Sequence, residues 1–193
     1  MLISKKNRNV VLSSDIDDIT VKEIIEDIQE INAIDDKKEK NELKKRNPNL
    51  IRKPMNLIIN SYGGQVNGCL AIIGAMELSK TPIHTITLGS AMSAAFVIAI
   101  SGHKRFCHKF ATFMCHEVSF GSFDRLQDTE ERIVEMKRIQ KILDEIIKNK
   151  TSITQEKLDI IYKTKIDRYY SAEESLENKM VDKIITSISD AEV

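Results

Sequence analysis

In a chain of 193 residues of which 30% are Asp, Glu, Lys or Arg, the stretch from Thr81 to Gly102 contains none of the four. A run this long is the chain's best candidate for a membrane span. It also holds Pro82, His84, three threonines, two glycines and three serines, which suits lipid poorly. It is read as buried protein interior, and no membrane association is expected. The rest of the composition narrows the class further. Lys+Arg 29 against Asp+Glu 29 leaves no net charge to attract nucleic acid. At this length one domain, spanning 1–193, buries roughly 70% of its unfolded surface and needs no staple. Three cysteines, Cys69, Cys107 and Cys115, are odd in number and too few for a disulfide scaffold. With no apolar signal core in MLISKKNRNV, a reducing, cytoplasmic setting is expected.

Along the chain, apolar runs alternate with helical patterns, which predicts an α/β domain. Val10-Val11-Leu12 reads as a strand and Ser13 to Asp18 as a turn. Thr20 with Glu23 reads as a capping box, and Val21, Ile24, Ile25, Ile28 and Ile31 follow at helical spacing. From Asp35 to Lys53 there are four acids and eight bases. That segment is read as a solvated insertion, with a basic docking site as the alternative. Met55 to Asn60 is a strand, Val66 to Leu78 a helix, Ile83 to Leu88 a strand that Gly89 ends, and Ala91 to Ile100 a buried helix. Short strands fit near Arg105-Phe106 and from Ala111 to Cys115. A long helix from about Asp124 to Lys150 carries an interface-like stripe of Ile133, Met136, Ile139 or Gln140, Leu143 and Ile146/Ile147. Leu158 to Tyr162 and the box Ser171/Glu174 mark two more helices, and Val181 to Ile185 a closing strand.

Four short segments carry chemistry. Asn60-Ser61-Tyr62-Gly63-Gly64 is a strand running into a double-glycine turn. Gly63 to Gly68 has phosphate-loop spacing, but Cys69-Leu70 replaces the required Lys and hydroxyl residue, so the nucleotide reading fails. What remains is a turn able to aim N–H groups at an oxyanion, or a plain strand-to-helix turn. Gly89-Ser90-Ala91-Met92-Ser93-Ala94 puts a hydroxyl at the head of the buried helix, a nucleophile's position or a cap's. It is not a G-x-S-x-G elbow. Cys115-His116 ends a strand, where the imidazole can act as a general base for a serine. Its rival is a metal site drawn from His103, Cys107, His108, Cys115 and His116, whose doublets point neighbours to opposite strand faces. Asp167, just before the Ser171 box, is a carboxylate that could orient a histidine or simply face solvent.

Taken together, these motifs resemble the proteolytic-subunit family of the Clp protease, within the ClpP/crotonase superfamily, from about Arg8 to Ile185. The resemblance rests on Val10-Val11-Leu12 with Asp17-Asp18, on Leu57 to Gly64, on the Ser93 segment, on Met114-Cys115-His116, and on Asp167 with Ser171 to Glu174 and Met180-Val181-Asp182. It implies stacked ββα units with a handle region over about 117–150. It also implies a serine endopeptidase in which Ser93 is the nucleophile, His116 the base and Asp167 its orienting partner. The oxyanion would meet N–H groups of Gly63, or Gly64, and of Ala94. Ser119, Phe120 and Gly121 would form the strand against which a peptide substrate lies. The implied assembly is a homo-oligomer of heptameric rings stacked as a tetradecamer, with an AAA+ unfoldase as the family's usual partner and no cofactor or metal.

The chain departs from that pattern in three places. Tyr62 and Val118 stand where the family carries prolines, which is expected to loosen the oxyanion turn and the start of the handle. Only nine residues precede Val10, so the axial segment that docks an unfoldase is expected to be lacking. These departures leave one rival reading, a silent structural paralogue, and a short chain rich in Lys, Ile and Asn suits another, a phage-type processing protease that works without an ATPase.

Overall fold

A computed structural model of the chain describes residues 8–44, 51–119, 121 and 125–191. In chain order the elements are β1 (Asn9–Leu12), α1 (Asp18–Lys44), β2 (Met55–Ser61), α2 (Val66–Leu78), β3 (Ile83–Met92), α3 (Ala94–Ile100), β4 (Lys104–His108) and β5 (Thr112–Cys115). They continue as α4 (Leu126–Lys150), α5 (Gln155–Thr164), β6 (Arg168–Tyr170), α6 (Ala172–Glu177) and β7 (Lys183–Ile185). Strands β1, β2, β3, β4 and β7 lie side by side in that order, all parallel. This is the α/β class read from the sequence. The inner strands β2 and β3 are buried on both faces, which is why their sequences are near-continuous apolar runs rather than alternating ones.

The charge-free run is the centre of the core. Ile83, Ile86 and Ala91 and every residue of α3 are buried. Two of its hydroxyls are satisfied within the run, Thr85 Oγ1 donating to Ala99 O at 2.6 Å and Ser101 Oγ to Val97 O at 2.7 Å, whereas the buried Thr87 Oγ1 has no hydrogen-bond partner among the described residues. Among the described residues no helix is long and apolar enough to cross a membrane.

Strand β3 is longer than expected, because Gly89 bends it without ending it. Opposite Gly89 the β2 register slips between Ile59 and Ser61, and the Asn60 side chain fills the bulge, accepting from Ser90 N–H at 3.0 Å. A Cβ at position 89 would collide with Asn60 Oδ1. The bulge divides β3 between two partners. His84 to Thr87 pair with β4, whereas Ser90 to Met92 pair with β5. Strand β5 in turn pairs antiparallel with β6, a three-residue strand absent from the sequence reading.

Three further expectations are corrected. Helix α1 is capped by Asp17, whose Oδ1 accepts from Thr20 N–H at 2.8 Å, and not by a Thr20 box. The solvated-insertion reading of 35–53 fails for its first part, where α1 continues to Lys44 and buries Asp35 in line with Ile24, Ile28 and Ile31. The segment 45–50 lies outside the described residues. Finally, the α4 stripe is largely spent on the chain's own core: Ile139, Leu143 and Ile147 are buried and Met136 packs against them. Ile133 and Val134 stay exposed on the helix's first half.

Asp35 is buried because it is the anchor of a staple. Arg8 grips it with two bonds, 3.0 Å and 2.7 Å, while also donating to the carbonyls of Lys53 and Pro54, and Thr81 Oγ1 donates to the same carboxylate at 2.8 Å. Arg52 adds bonds to Asp36 and Glu39 one turn along. Burial pushes the Asp35 carboxyl up, but the Arg8 and Thr81 hydrogen bonds outweigh it and hold the group below its ordinary 3.8. We expect Asp35→Ala to cost on the order of 2 kcal/mol in urea unfolding at neutral pH, since Arg8 and Thr81 lose an acceptor that Arg8's remaining carbonyl bonds replace only in part. A carboxyl with a lowered folded value contributes stability above its unfolded value and loses it as pH falls through the folded one. The gap between wild type and variant should therefore shrink well below pH 3.8. A gap that persists there would show the effect to be packing alone.

Candidate active site

Ends of four strands build the site. Met92 pairs with Met114, and one residue further on Ser93 N–H donates to Met114 O at 2.9 Å. Cys115 pairs with Arg168 in the antiparallel β5–β6 ladder, so continuing that ladder by one residue sets His116 opposite Asp167. Strand β2 delivers Gly63 and Gly64 beside them. The site thus sits at the carboxyl ends of parallel strands, where α/β sheets hold their ligands.

Ser93 occupies a strained corner between β3 and α3, with φ 53° and ψ −124°. A non-glycine residue in this region costs roughly 1–3 kcal/mol and persists only where its surroundings enforce it. Its side chain makes no capping bond to α3, so the capping alternative does not account for this serine. Instead Ser93 Oγ lies 2.7 Å from His116 Nε2. For that nitrogen to accept the hydroxyl proton the other must carry the ring hydrogen, and Nδ1 is the one that faces Asp167. Asp167 Oδ1 is 4.0 Å away and the side chain is half exposed, so it stands near the ring without a direct hydrogen bond. The structure brings the three residues into one place, two of them in contact.

Gly63 has φ +107° and Gly64 φ +142°. A Cβ on Gly63 would lie 2.7 Å from Met92 O and 2.9 Å from Ser93 Cβ, so the turn is pressed directly against the serine corner. The Gly63 N–H, which the resemblance assigns to the oxyanion, donates to Ser61 Oγ at 3.1 Å in this structure. Ser61 Oγ in turn donates to Ser14 O at 2.6 Å, and Gly63 O and Gln65 N–H bond Ile16. The turn is clamped, not loosened, despite Tyr62. Gly64 and Ala94 both line the cavity beside Ser93, and the Ala94 N–H begins α3, where no intrahelical acceptor exists.

That cavity, about 60 Å³, has apolar walls from Phe96, Val97, Val118, Leu143 and Ile147 and as much polar surface from groups that include Ser93, His116, Glu117 and Gln140. Cys69 and Cys115 also line it, but burial pushes both thiols up to about 12. At neutral pH they are not nucleophiles, so the serine is the reacting candidate. Among the described residues no three His, Cys, Asp or Glu side chains gather as a metal-holding group. Ser119 and Gly121 belong to no strand, and Phe120 lies outside the described residues. The sequence reading missed Ser61, which fixes the turn, and Gln140, whose Oε1 accepts from Val118 N–H at 2.8 Å. The one signal for Gln140 was a polar residue competing with Ile139 for the α4 stripe.

Fold and site together define a parallel-sheet α/β protein in which a serine on a strained strand-to-helix corner is hydrogen-bonded to a histidine. The chain belongs to the Clp protease family, whose model matches residues 3–188. That is a family of serine peptidases that generally form oligomeric rings.

Proposed function

We propose that this chain is a serine endopeptidase that cleaves peptides or unfolded chains through an acyl-enzyme, with Ser93, His116 and Asp167 as its triad. The observation that carries the reading is the 2.7 Å contact between Ser93 Oγ and His116 Nε2 at a strained, uncapped serine. Oγ attacks the peptide carbonyl carbon as its proton passes to Nε2. The imidazolium then gives that proton to the departing amine, leaving an ester on Ser93. Water, deprotonated by the same nitrogen, breaks the ester and restores the hydroxyl. Gly64 and Ala94 supply the N–H groups for the oxyanion, and Gly63 serves as the spacer that holds the turn against Ser93. The cavity beside Ser93 takes the side chain preceding the cut bond. The working unit is a ring assembly of identical chains, heptamers stacked in pairs, to which the exposed Ile133 and Val134 of α4 contribute.

A second reading, a silent structural subunit, draws on the 4.0 Å gap between His116 and Asp167. Resting triads are often this loose and tighten only around substrate. Fluorophosphonate labelling separates the two. Attack by Oγ on phosphorus expels fluoride only where the serine is activated, so a single adduct at Ser93 is expected, lost in His116→Ala. A folded chain that takes no label, alone or assembled, supports the silent subunit.

A further inference from the structure

We propose that Gln140 is a positioning residue for His116, acting through the backbone N–H of Val118; the inference rests on the triad reading above. Strand β5 ends at Cys115, and His116 reaches Ser93 from a chain that has just left the sheet. Two residues on, that chain is tied to α4 by the 2.8 Å bond from Val118 N–H to Gln140 Oε1. A proline at 118 would have no hydrogen to give.

Gln140 is itself aimed by a closed set of bonds. Its Nε2 donates to Asp144 Oδ1 at 2.8 Å and to Tyr162 Oη at 2.9 Å, and Tyr162 Oη donates to the same Asp144 oxygen at 2.7 Å. Gln155 Nε2 reaches the other Asp144 oxygen at 3.2 Å. Flipping the amide would turn its oxygen toward two acceptors, so only one orientation is tolerated, and it is the one that presents Oε1 to Val118. Burial and the bond to Asp144 push the Tyr162 phenol up, which keeps it a donor.

Apolar contacts alone could join α4 to α5 at less cost than a buried carboxylate held by neutral donors. What this network adds is direction: it fixes where one amide oxygen points. Gln140 also lines the same cavity as Ser93, His116 and Val118, so the oxygen is delivered at the site itself. Tyr162 lies on α5, the helix that leads to Asp167. His116, two residues before Val118, and Asp167, three residues past the end of α5, both adjoin segments that this network joins.

The test is Gln140→Leu in the full chain, which keeps the bulk and removes the acceptor. The readout is the rate of fluorophosphonate labelling at Ser93, with the thermal midpoint and assembly state as controls. Misplacing a reacting group by about 1 Å costs on the order of 10²-fold. We expect labelling 10- to 100-fold slower in a chain that still folds and assembles. In a double-mutant cycle with Val118→Pro, the two losses should overlap rather than multiply, because both break one bond. Should Gln140→Leu fail to fold, Tyr162→Phe removes a single support and is expected to slow labelling several-fold. The inference is overturned by wild-type labelling rates in Gln140→Leu, or in Tyr162→Phe, or by losses that multiply in the cycle. A folded wild type that takes no label at all overturns the triad reading first, and this inference with it.

Discussion

Ser93→Ala is expected to lower the turnover of a fluorogenic peptide by about 10⁶, to the residual rate that binding and the oxyanion site support. Alanine removes only Oγ, whose hydrogen bond in the described structure goes to His116 Nε2. The backbone bonds that hold the corner, Ser93 N–H to Met114 O and Phe96 N–H to Ser93 O, do not need the hydroxyl. Assembly and thermal midpoint should therefore stay close to wild type. Alanine tolerates φ 53° no better than serine, so the backbone strain is common to both and cancels in the comparison. Peptide turnover within tenfold of wild type by the purified variant would sink the assignment of the nucleophile.

Gly63→Ala is expected to reduce turnover by 10²- to 10³-fold, the range associated with losing an oxyanion donor. The added methyl meets Met92 O at 2.7 Å, Ser93 Cβ at 2.9 Å and Ala94 N at 3.1 Å, all backbone or corner atoms that cannot swing aside. With φ at +107°, alanine is strained before it touches anything. The turn must back away, and Gly64 N–H and Ser93 move apart. Gly74→Ala is the matched control, because an added Cβ there meets nothing within 4 Å. Equal activity in the two variants would mean that the turn does not set the oxyanion geometry.

Much of this was legible because local chemistry and long-range pairing agreed. The alternation of runs gave β2, α2 and α4 nearly to the residue, and the Ser171 box is formed by both of its bonds. Taken singly, Ser93 reads equally as a cap, His116 as a metal ligand and Asp167 as a surface carboxylate, and only their joint resemblance to one family connects them. What the sequence hid depends on partners distant in the chain. Gly89 looks like a stop when only its neighbours are visible, and it becomes a bulge once Asn60 is placed opposite. Asp35 sits in a run of charge that reads as wet surface, and Arg8, 27 residues earlier, and Thr81, 46 later, make its burial tolerable. Strand β6 is three residues of mixed character, given its form by β5 alone. The proline losses at Tyr62 and Val118 suggested looseness, yet each place is held by a side chain no local pattern marks, Ser61 or Gln140.

The brevity of β6 separates the stability of the site from that of the fold. Asp167 is carried by a strand that pairs with one neighbour across three residues, at the rim of a sheet whose middle is fully buried. Detaching so short a rim exposes little apolar surface beyond Tyr170, so this edge can open and close many times while the core stays folded. Amide hydrogens of Arg168 to Tyr170 should then exchange through local excursions, independently of global unfolding. On the proposed reading of the site, a contact that pins this rim, whether a bound peptide or an adjacent copy, acts on the population of aligned triads.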